Sequence, residues 1–261
     1  MSLANHRIYS KLRVISQHAR ELVHPSGPPA YVASHYKCAS VWTWNVVQKA
    51  CRRQEIPARR IMNYSKRGAW HLRACRVVMI MDHHPPNASP EMLARTTLVH
   101  VTRDPRGILA SMLKSQRETH PLGPRYDTLG EMARNRPLLQ NLDDADGYRL
   151  LLEKSTLLAL AIESMIRLEE VGCPVDRIDF RDISTDPGNA IERILRGIGV
   201  STDDVESLAD EFSFAKLHQG NPHYRRGNPD SWQEELPDDV IRGFEEKWGH
   251  ELKTLGYSAT T

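Results

Sequence analysis

The segment Tyr31-Val-Ala-Ser-His-Tyr-Lys37-Cys-Ala-Ser40-Val-Trp42-Thr-Trp-Asn-Val-Val47 constrains the fold more than any other. Its first residues form an apolar run short enough for a buried strand. Small residues around Lys37 then suit a loop, and Val41, Trp42, Val46 and Val47 recur at helical spacing. A strand, a small-residue loop with a lysine and a hydroxyl, and a helix together make a phosphate cradle. N–H groups at the helix start face the anion, and the lysine adds a point charge. The triphosphate-binding pattern G-x-x-x-x-G-K-[ST] cannot be written onto the segment, because its glycines are missing. Alone, the loop predicts an anion site and leaves the ligand open.

Further apolar runs end in chemistry of the same kind. Arg76-Val-Val-Met-Ile-Met81 leads into Asp82-His83-His84-Pro85-Pro86, and Thr97-Leu-Val-His-Val101 leads into Thr102-Arg103-Asp104-Pro105-Arg106-Gly107. Short unbroken runs suit parallel strands covered on both faces. Pro174-Val-Asp-Arg-Ile-Asp-Phe180 is a further strand, weaker in pattern because of its charges. Helical stripes are predicted over residues 6–23, over residues 40–53, from Asp104 as N-cap with Pro105 in the first turn, from Tyr148 to Val171, from Pro187 to Ile198, from Asp203 to Glu211, and from Pro237 onward. Strands alternating with helices predict an α/β domain with a mainly parallel sheet flanked by helices. Ligands bind such sheets outside the carboxyl ends of the strands. Lys37, His83 and Arg103 each follow a strand, and their convergence there is the strongest functional signal.

At 261 residues, 40% hydrophobic and 26% charged, the chain fits a single domain over residues 1–261. A net charge of +2 is too small to argue for nucleic-acid binding, although it leaves room for a local basic pocket. Cys38, Cys51, Cys75 and Cys173 lack C-x-x-C spacing, so free thiols in a reducing compartment are expected. Cys38 beside Lys37 is either a small packing residue or a thiol activated by positive charge. No run reaches the length of a membrane span and the first residues lack a signal peptide's apolar centre, so a cytoplasmic protein is expected. The basic stretch 54–75 reads as solvated surface, and residues 115–146 as a polar excursion with one short helix.

With these residues in view, the chain resembles the sulfotransferases that use 3′-phosphoadenosine-5′-phosphosulfate (PAPS). The family's 5′-phosphosulfate loop, Y-P-K-S-G-T-T-W, corresponds to His35-Tyr36-Lys37-Cys38-Ala39-Ser40-Val41-Trp42. Its 3′-phosphate segment, R-D-P-R-D-x-x-x-S, corresponds to Arg103-Asp-Pro-Arg106-Gly107-Ile-Leu-Ala-Ser111, and its C-terminal loop, R-K-G-x-x-G-D-W, to Arg225-Arg226-Gly227-Asn-Pro-Asp-Ser-Trp232. His83-His84-Pro85, Ser213-Phe214 and Leu255-Gly256-Tyr257 are lesser echoes. The resemblance implies a three-layer fold akin to the phosphate-loop proteins. It also implies sulfuryl transfer from PAPS to a hydroxyl or amine of a small-molecule acceptor, leaving 3′-phosphoadenosine-5′-phosphate (PAP), with no metal.

The residue chemistry suits such a donor. Lys37, Ser40 and the backbone from Cys38 to Trp42 can hold a 5′-phosphosulfate. Arg103, Ser111, Arg225, Arg226 and Gly227 can hold a 3′-phosphate, the guanidinium groups with paired hydrogen bonds. By resemblance Trp42 and Phe214 sandwich the adenine, while a core role for Trp42 stands beside that reading. His83 takes the family's base position, and Lys37 stabilises the departing phosphate. Arg106, Trp232 and Trp248 read as structural partners. The chain departs from the family at Ala39 and Asp230, where glycines are usual, at Val41, which lacks a hydroxyl that Thr43 can replace, and at Met81 and Asp82 before the histidine. A nucleotide kinase and a non-catalytic nucleotide-binding module are the competing readings.

Overall fold

The computed structural model describes residues 30–61, 76–80, 97–123, 127, 129–170, 175–217 and 227–260. Among them a five-stranded sheet is built from β1 (Ala30–Ser34), β2 (Ala58–Ile61), β3 (Val77–Ile80), β4 (Leu98–Thr102) and β5 (Val175–Asp179), in the order β2-β3-β1-β4-β5. Every pairing is parallel: Val32 lies opposite Met79 on one side and Val99 on the other, and His100 lies opposite Arg177.

The three central strands read as continuous apolar runs because both their faces are covered. Val32, Met79, Val99 and Val101 pack beneath α1 (Ser40–Arg53) and α7 (Pro187–Gly197), with Val46, Val47, Ala50, Ile191, Ile194 and Leu195 facing them. Alternate residues Tyr31, Ala33, Val78, Ile80 and Leu98 form the opposite face, with Leu168 against them. Leu168 belongs to α5 (Thr156–Glu170). A further apolar cluster joins α2 (Pro105–Lys114), α4 (Asp144–Lys154), α5 and the C-terminal helix (Asp238–Thr254) through Ile108, Met112, Leu151, Leu158, Ile162 and Phe244. No helix among the described residues is long and apolar enough to cross a membrane.

Three regions differ from the sequence reading. Residues 58–61, expected as solvated surface, are the edge strand β2, which pairs with β3 despite carrying Arg59 and Arg60. Its four residues have no apolar run to announce them, and cationic side chains protect such an edge from further pairing. The stripe from Tyr148 to Val171 is two helices, because Ser155 adopts an extended backbone (φ −75°, ψ 112°) between α4 and α5. Within the polar excursion, α2 runs directly into a π-helical turn (Ser115–Thr119), and α3 (Glu131–Gln140) returns to pack on it. Arg136 holds that return by donating to the carbonyls of Gln116 and His120 at 2.8 and 2.6 Å. The N-terminal stripe at 6–23 lies outside the described residues.

Candidate functional site

After β1 the chain builds one side of the sheet, and it reaches β4 and β5 on the other. The switch between β1 and β4 places a crevice at their carboxyl ends. The loop 35–39 leaves β1 there, Arg103 leaves β4, and Phe180 opens α6 (Phe180–Thr185) directly after β5.

The loop holds an uncommon backbone shape. Lys37 (φ 63°) and Ala39 (φ 53°) both lie in the left-handed region, which costs an L-residue about 1–2 kcal/mol. Surrounding contacts over-determine that shape. Ser34 Oγ donates to the Cys38 carbonyl at 2.7 Å, the Cys38 N–H donates to the His35 carbonyl at 3.0 Å, and Arg103 Nη1 donates to the Lys37 carbonyl at 3.2 Å. α1 then starts with neither a side-chain cap nor an acidic residue in its first turn. Its leading N–H groups and helix dipole thus favour an anion.

Lys37 lies with its ammonium 5.5 Å from the centre of the Tyr36 ring. Cys38 is fully buried, and burial pushes its thiol up to about 12, against a smaller opposite pull from Arg103. It is a packing residue. Val41 is half-buried against the sheet's apolar cluster. Thr43 does not stand in for its missing hydroxyl: its Oγ1 donates to the Ala39 carbonyl at 3.1 Å inside the helix. Trp42 is buried, its indole Nε1 donating to the Phe212 carbonyl at 2.8 Å. In this conformation the ring belongs to the core, and it anchors the backbone two residues before Phe214.

Arg103 joins the loop to the far end of the crevice. Its guanidinium lies 4.3 Å from the centre of the Phe180 ring while bonding to the Lys37 carbonyl. Beneath it is Gly107, where a Cβ would come within 2.9 Å of Arg103 Nε. Ser111 follows one helical turn later on the same face of α2. Phe180 and Phe214 meet edge to face at 6.0 Å, and a Cβ on Gly227 would lie 3.0 Å from Phe214 Cγ. Arg103, Phe180, Phe214 and Gly227 are therefore one contiguous wall. His83, Arg225 and Arg226 lie outside the described residues.

Phe180 and Arg181 were not foreseen. The charged pattern of β5 hides its carboxyl end, and the signal that points to Phe180 is that the other strand ends carry the site. A cavity of about 590 Å³ opens there, with Arg103, Phe180, Arg181, Asp230 and Tyr257 in its lining. Arg181 makes two bonds to the Asp230 carboxylate, at 2.8 and 2.5 Å, which gives the departure at Asp230 a partner. Arg106 is structural, as expected: it reaches Asp104 at 2.8 Å, Glu245 at 2.7 Å and the Ser258 carbonyl at 2.9 Å, and it stacks 4.0 Å from the Trp232 ring centre.

Compared by sequence, the chain matches no protein-family model and no curated protein. Compared by structure, it is similar to a mouse sulfotransferase, SULT7A1, complexed with PAP. The two are 14% identical with a TM-score of 0.63, over 93% of each chain. Retinol dehydratase in complex with androsterone and the inactive cofactor PAP is 13% identical with a TM-score of 0.55, over 92% of this chain and 85% of that one. The same protein with retinol and PAP gives 14%, 0.53, 92% and 86%. The chain therefore has the α/β fold of these PAP-bound proteins.

Proposed function

We propose that this chain is a single-domain PAPS-dependent sulfotransferase acting on a hydroxyl or amine of a small molecule. The observation that carries the reading is the bridge made by Arg103, which bonds the Lys37 carbonyl while lying on Phe180. It links an anion loop to a second cationic end, as a nucleotide phosphorylated at both 5′ and 3′ positions requires. The neighbours of the same fold were solved with PAP, and two of those structures also hold retinol or androsterone. The missing Cβ atoms at Gly107 and Gly227 leave room for the Arg103 guanidinium and the Phe214 ring to seat in this wall. Free Cys38 and Cys51 agree with a cytoplasmic setting.

When bound, PAPS supplies an activated sulfuryl group with a phosphate as its leaving group. Lys37 and the α1 N-terminus neutralise charge as it develops on the bridging oxygen, the larger electrostatic contribution to such a transfer. Ser40, at the first helical position, offers a hydroxyl on the same side. Arg103 and Ser111, with Arg225 and Arg226, hold the 3′-phosphate. Phe214, half-buried and backed by Phe180, offers the base a stacking surface, while Trp42 fixes that segment from within the core. His83 accepts the acceptor's proton, imidazole being the side chain type that takes up a proton near neutral pH.

The first test is nucleotide binding. PAP at 100 times its dissociation constant should stabilise the fold by about 2.7 kcal/mol, raising Tm by roughly 5–10 °C for a domain of this size. No shift at any accessible concentration refutes the donor. Transfer from labelled PAPS to phenols, alcohols and amines, lost in Lys37→Ala, then tests the reaction. Magnesium-dependent transfer from ATP instead would establish the kinase reading.

A further inference from the structure

We propose that His35, His100 and Glu169 form a positioning relay, a buried hydrogen-bonded chain that holds the anion loop in its strained shape. His100 Nε2 lies 2.8 Å from His35 Nε2, and His100 Nδ1 lies 2.8 Å from Glu169 Oε1. The two rings meet edge to face at 5.0 Å. Both histidines are buried, and Glu169 stands near the end of α5 with its side chain 29% exposed. The chain therefore runs from the first residue of the loop, beneath the sheet, to solvent.

Only one arrangement of protons satisfies it. The hydrogen bond from His100 holds Glu169 below the usual carboxylate range, so the carboxylate can only accept. His100 Nδ1 must then carry a proton. Burial pushes His100 below its ordinary value despite the opposing influence of Glu169, so the ring is neutral near pH 7 and its Nε2 accepts. His35 Nε2 must therefore donate. The polarity of the chain is fixed from Glu169 inward, and His35 is held with a proton on Nε2.

His35 is also where the loop turns. Its carbonyl receives the Cys38 N–H, and the next two odd-numbered residues, Lys37 and Ala39, hold left-handed backbone. Burial alone does not call for imidazoles here. The surrounding face is apolar, formed by Tyr31, Ala33, Val78, Ile80, Leu98 and Leu168, and a larger aliphatic residue would fill it without desolvating polar groups. Two imidazoles and a carboxylate instead give the loop a single anchored position.

The relay makes loop shape depend on pH. A proton on His100 Nε2 would face the His35 N–H and break the ring-to-ring bond. The charged groups near His100 among the described residues are Glu169 on α5 and Arg177 on β5; Arg177 disfavours that proton and Glu169 favours it. Among the described residues, His35 in the loop after β1 is a further titratable neighbour. Because the folded His100 value lies below its unfolded value of 6.5, the relay's contribution is complete above that pH. It is lost as pH falls through the lower, folded value.

The effect on nucleotide affinity rests on the PAPS reading, so the test separates the two. Long-range proton–nitrogen NMR at neutral pH should show the Nδ1–H form of His100 and a proton on His35 Nε2. An Nε2–H tautomer of His100 overturns the relay. Amide exchange at residues 36–40 should be about tenfold faster in His100→Phe, with PAP binding about tenfold weaker, within the usual span of coupling between linked sites. Wild-type affinity should fall as pH drops below 6.5 and through the lower, folded His100 value, while His100→Phe gives a flat profile. Glu169→Gln keeps an acceptor oxygen but removes the charge that favours protonation, so its acid fall should begin at lower pH. This variant carries the test should His100→Phe fail to fold. Folded His100→Phe with wild-type loop exchange and pH profile overturns the proposal. Correct tautomers and altered loop exchange without PAP binding would support the relay while removing the nucleotide reading.

Discussion

Glu131→Ala isolates a buried carboxylate that joins three elements. Glu131 is 2% exposed, at the start of α3. Its Oε1 accepts from Ser155 Oγ at 2.6 Å and from Gln116 Nε2 at 3.2 Å, and its Oε2 accepts from the Leu157 N–H at 2.9 Å. Leu157 N–H lies in the first turn of α5, where no carbonyl of that helix can reach it. Ser155 Oγ in turn accepts from the Leu158 N–H at 3.1 Å, so the carboxylate orients the cap of the same helix. Losing a capping arrangement costs about 1 kcal/mol, and each buried donor left without its charged acceptor costs about 1–3 kcal/mol. Partial relaxation around the smaller alanine makes the sum sub-additive, and we expect about 3–5 kcal/mol in total. With a Tm change of about 2–4 °C per kcal/mol for a chain of this size, the loss should be of order 10 °C. Urea denaturation followed by circular dichroism measures it, and Glu131→Gln, which retains one acceptor oxygen, should lose roughly half as much. A loss below about 1 kcal/mol in the alanine variant would refute the capping argument, since surface carboxylates change by no more than that.

Ala39→Gly should stabilise by about 0.5 kcal/mol, because relief of left-handed backbone strain slightly exceeds the added chain entropy and the lost half-buried methyl. Ala39→Val should destabilise, and the two Tm shifts of opposite sign check the reading. Arg106→Lys keeps charge but not the planar fork that serves Asp104, Glu245 and the Ser258 carbonyl, and should cost about 3 kcal/mol in chemical denaturation. With its thiol pushed up to about 12, Cys38 should resist alkylation at pH 8 in the folded protein and react on unfolding, as read by peptide mass mapping.

Much of this architecture was legible where a residue pattern had one physical cause. β1, β3 and β4 are apolar on both faces, so they stood out as runs, and α1 and α2 were announced by spacing and by Asp104 capping ahead of Pro105. Regions set by tertiary contacts were not legible. β2 exists because β3 offers it a pairing edge. The break at Ser155 exists because Glu131, 24 residues earlier, reaches its hydroxyl and the next helix's N–H. A continuous stripe of leucines cannot report that interruption. The candidate site shows the same division. Lys37 and Arg103 were visible because both follow strands, whereas the strand end at Phe180 was overlooked and the bond from Arg103 to the Lys37 carbonyl has no local signature.

The missing glycine at position 39 removes the residue that most readily takes the left-handed backbone this loop adopts. Glycine favours left-handed conformation by lowering its local cost. Ala39 and Lys37 adopt it nonetheless, so the cost is offset elsewhere: by Ser34 on the Cys38 carbonyl, by Arg103 on the Lys37 carbonyl, and by the turn closed at His35. One of those braces, Arg103, also faces the far end of the crevice. Removing it therefore acts at two places at once, withdrawing a cation from the far end of the crevice and a brace from the loop. A loop shaped by glycine would keep its form when Arg103 is lost, whereas this one depends on the residue that also lines the other end of the pocket. Coupling between the two ends is thus a consequence of how the chain compensates for Ala39.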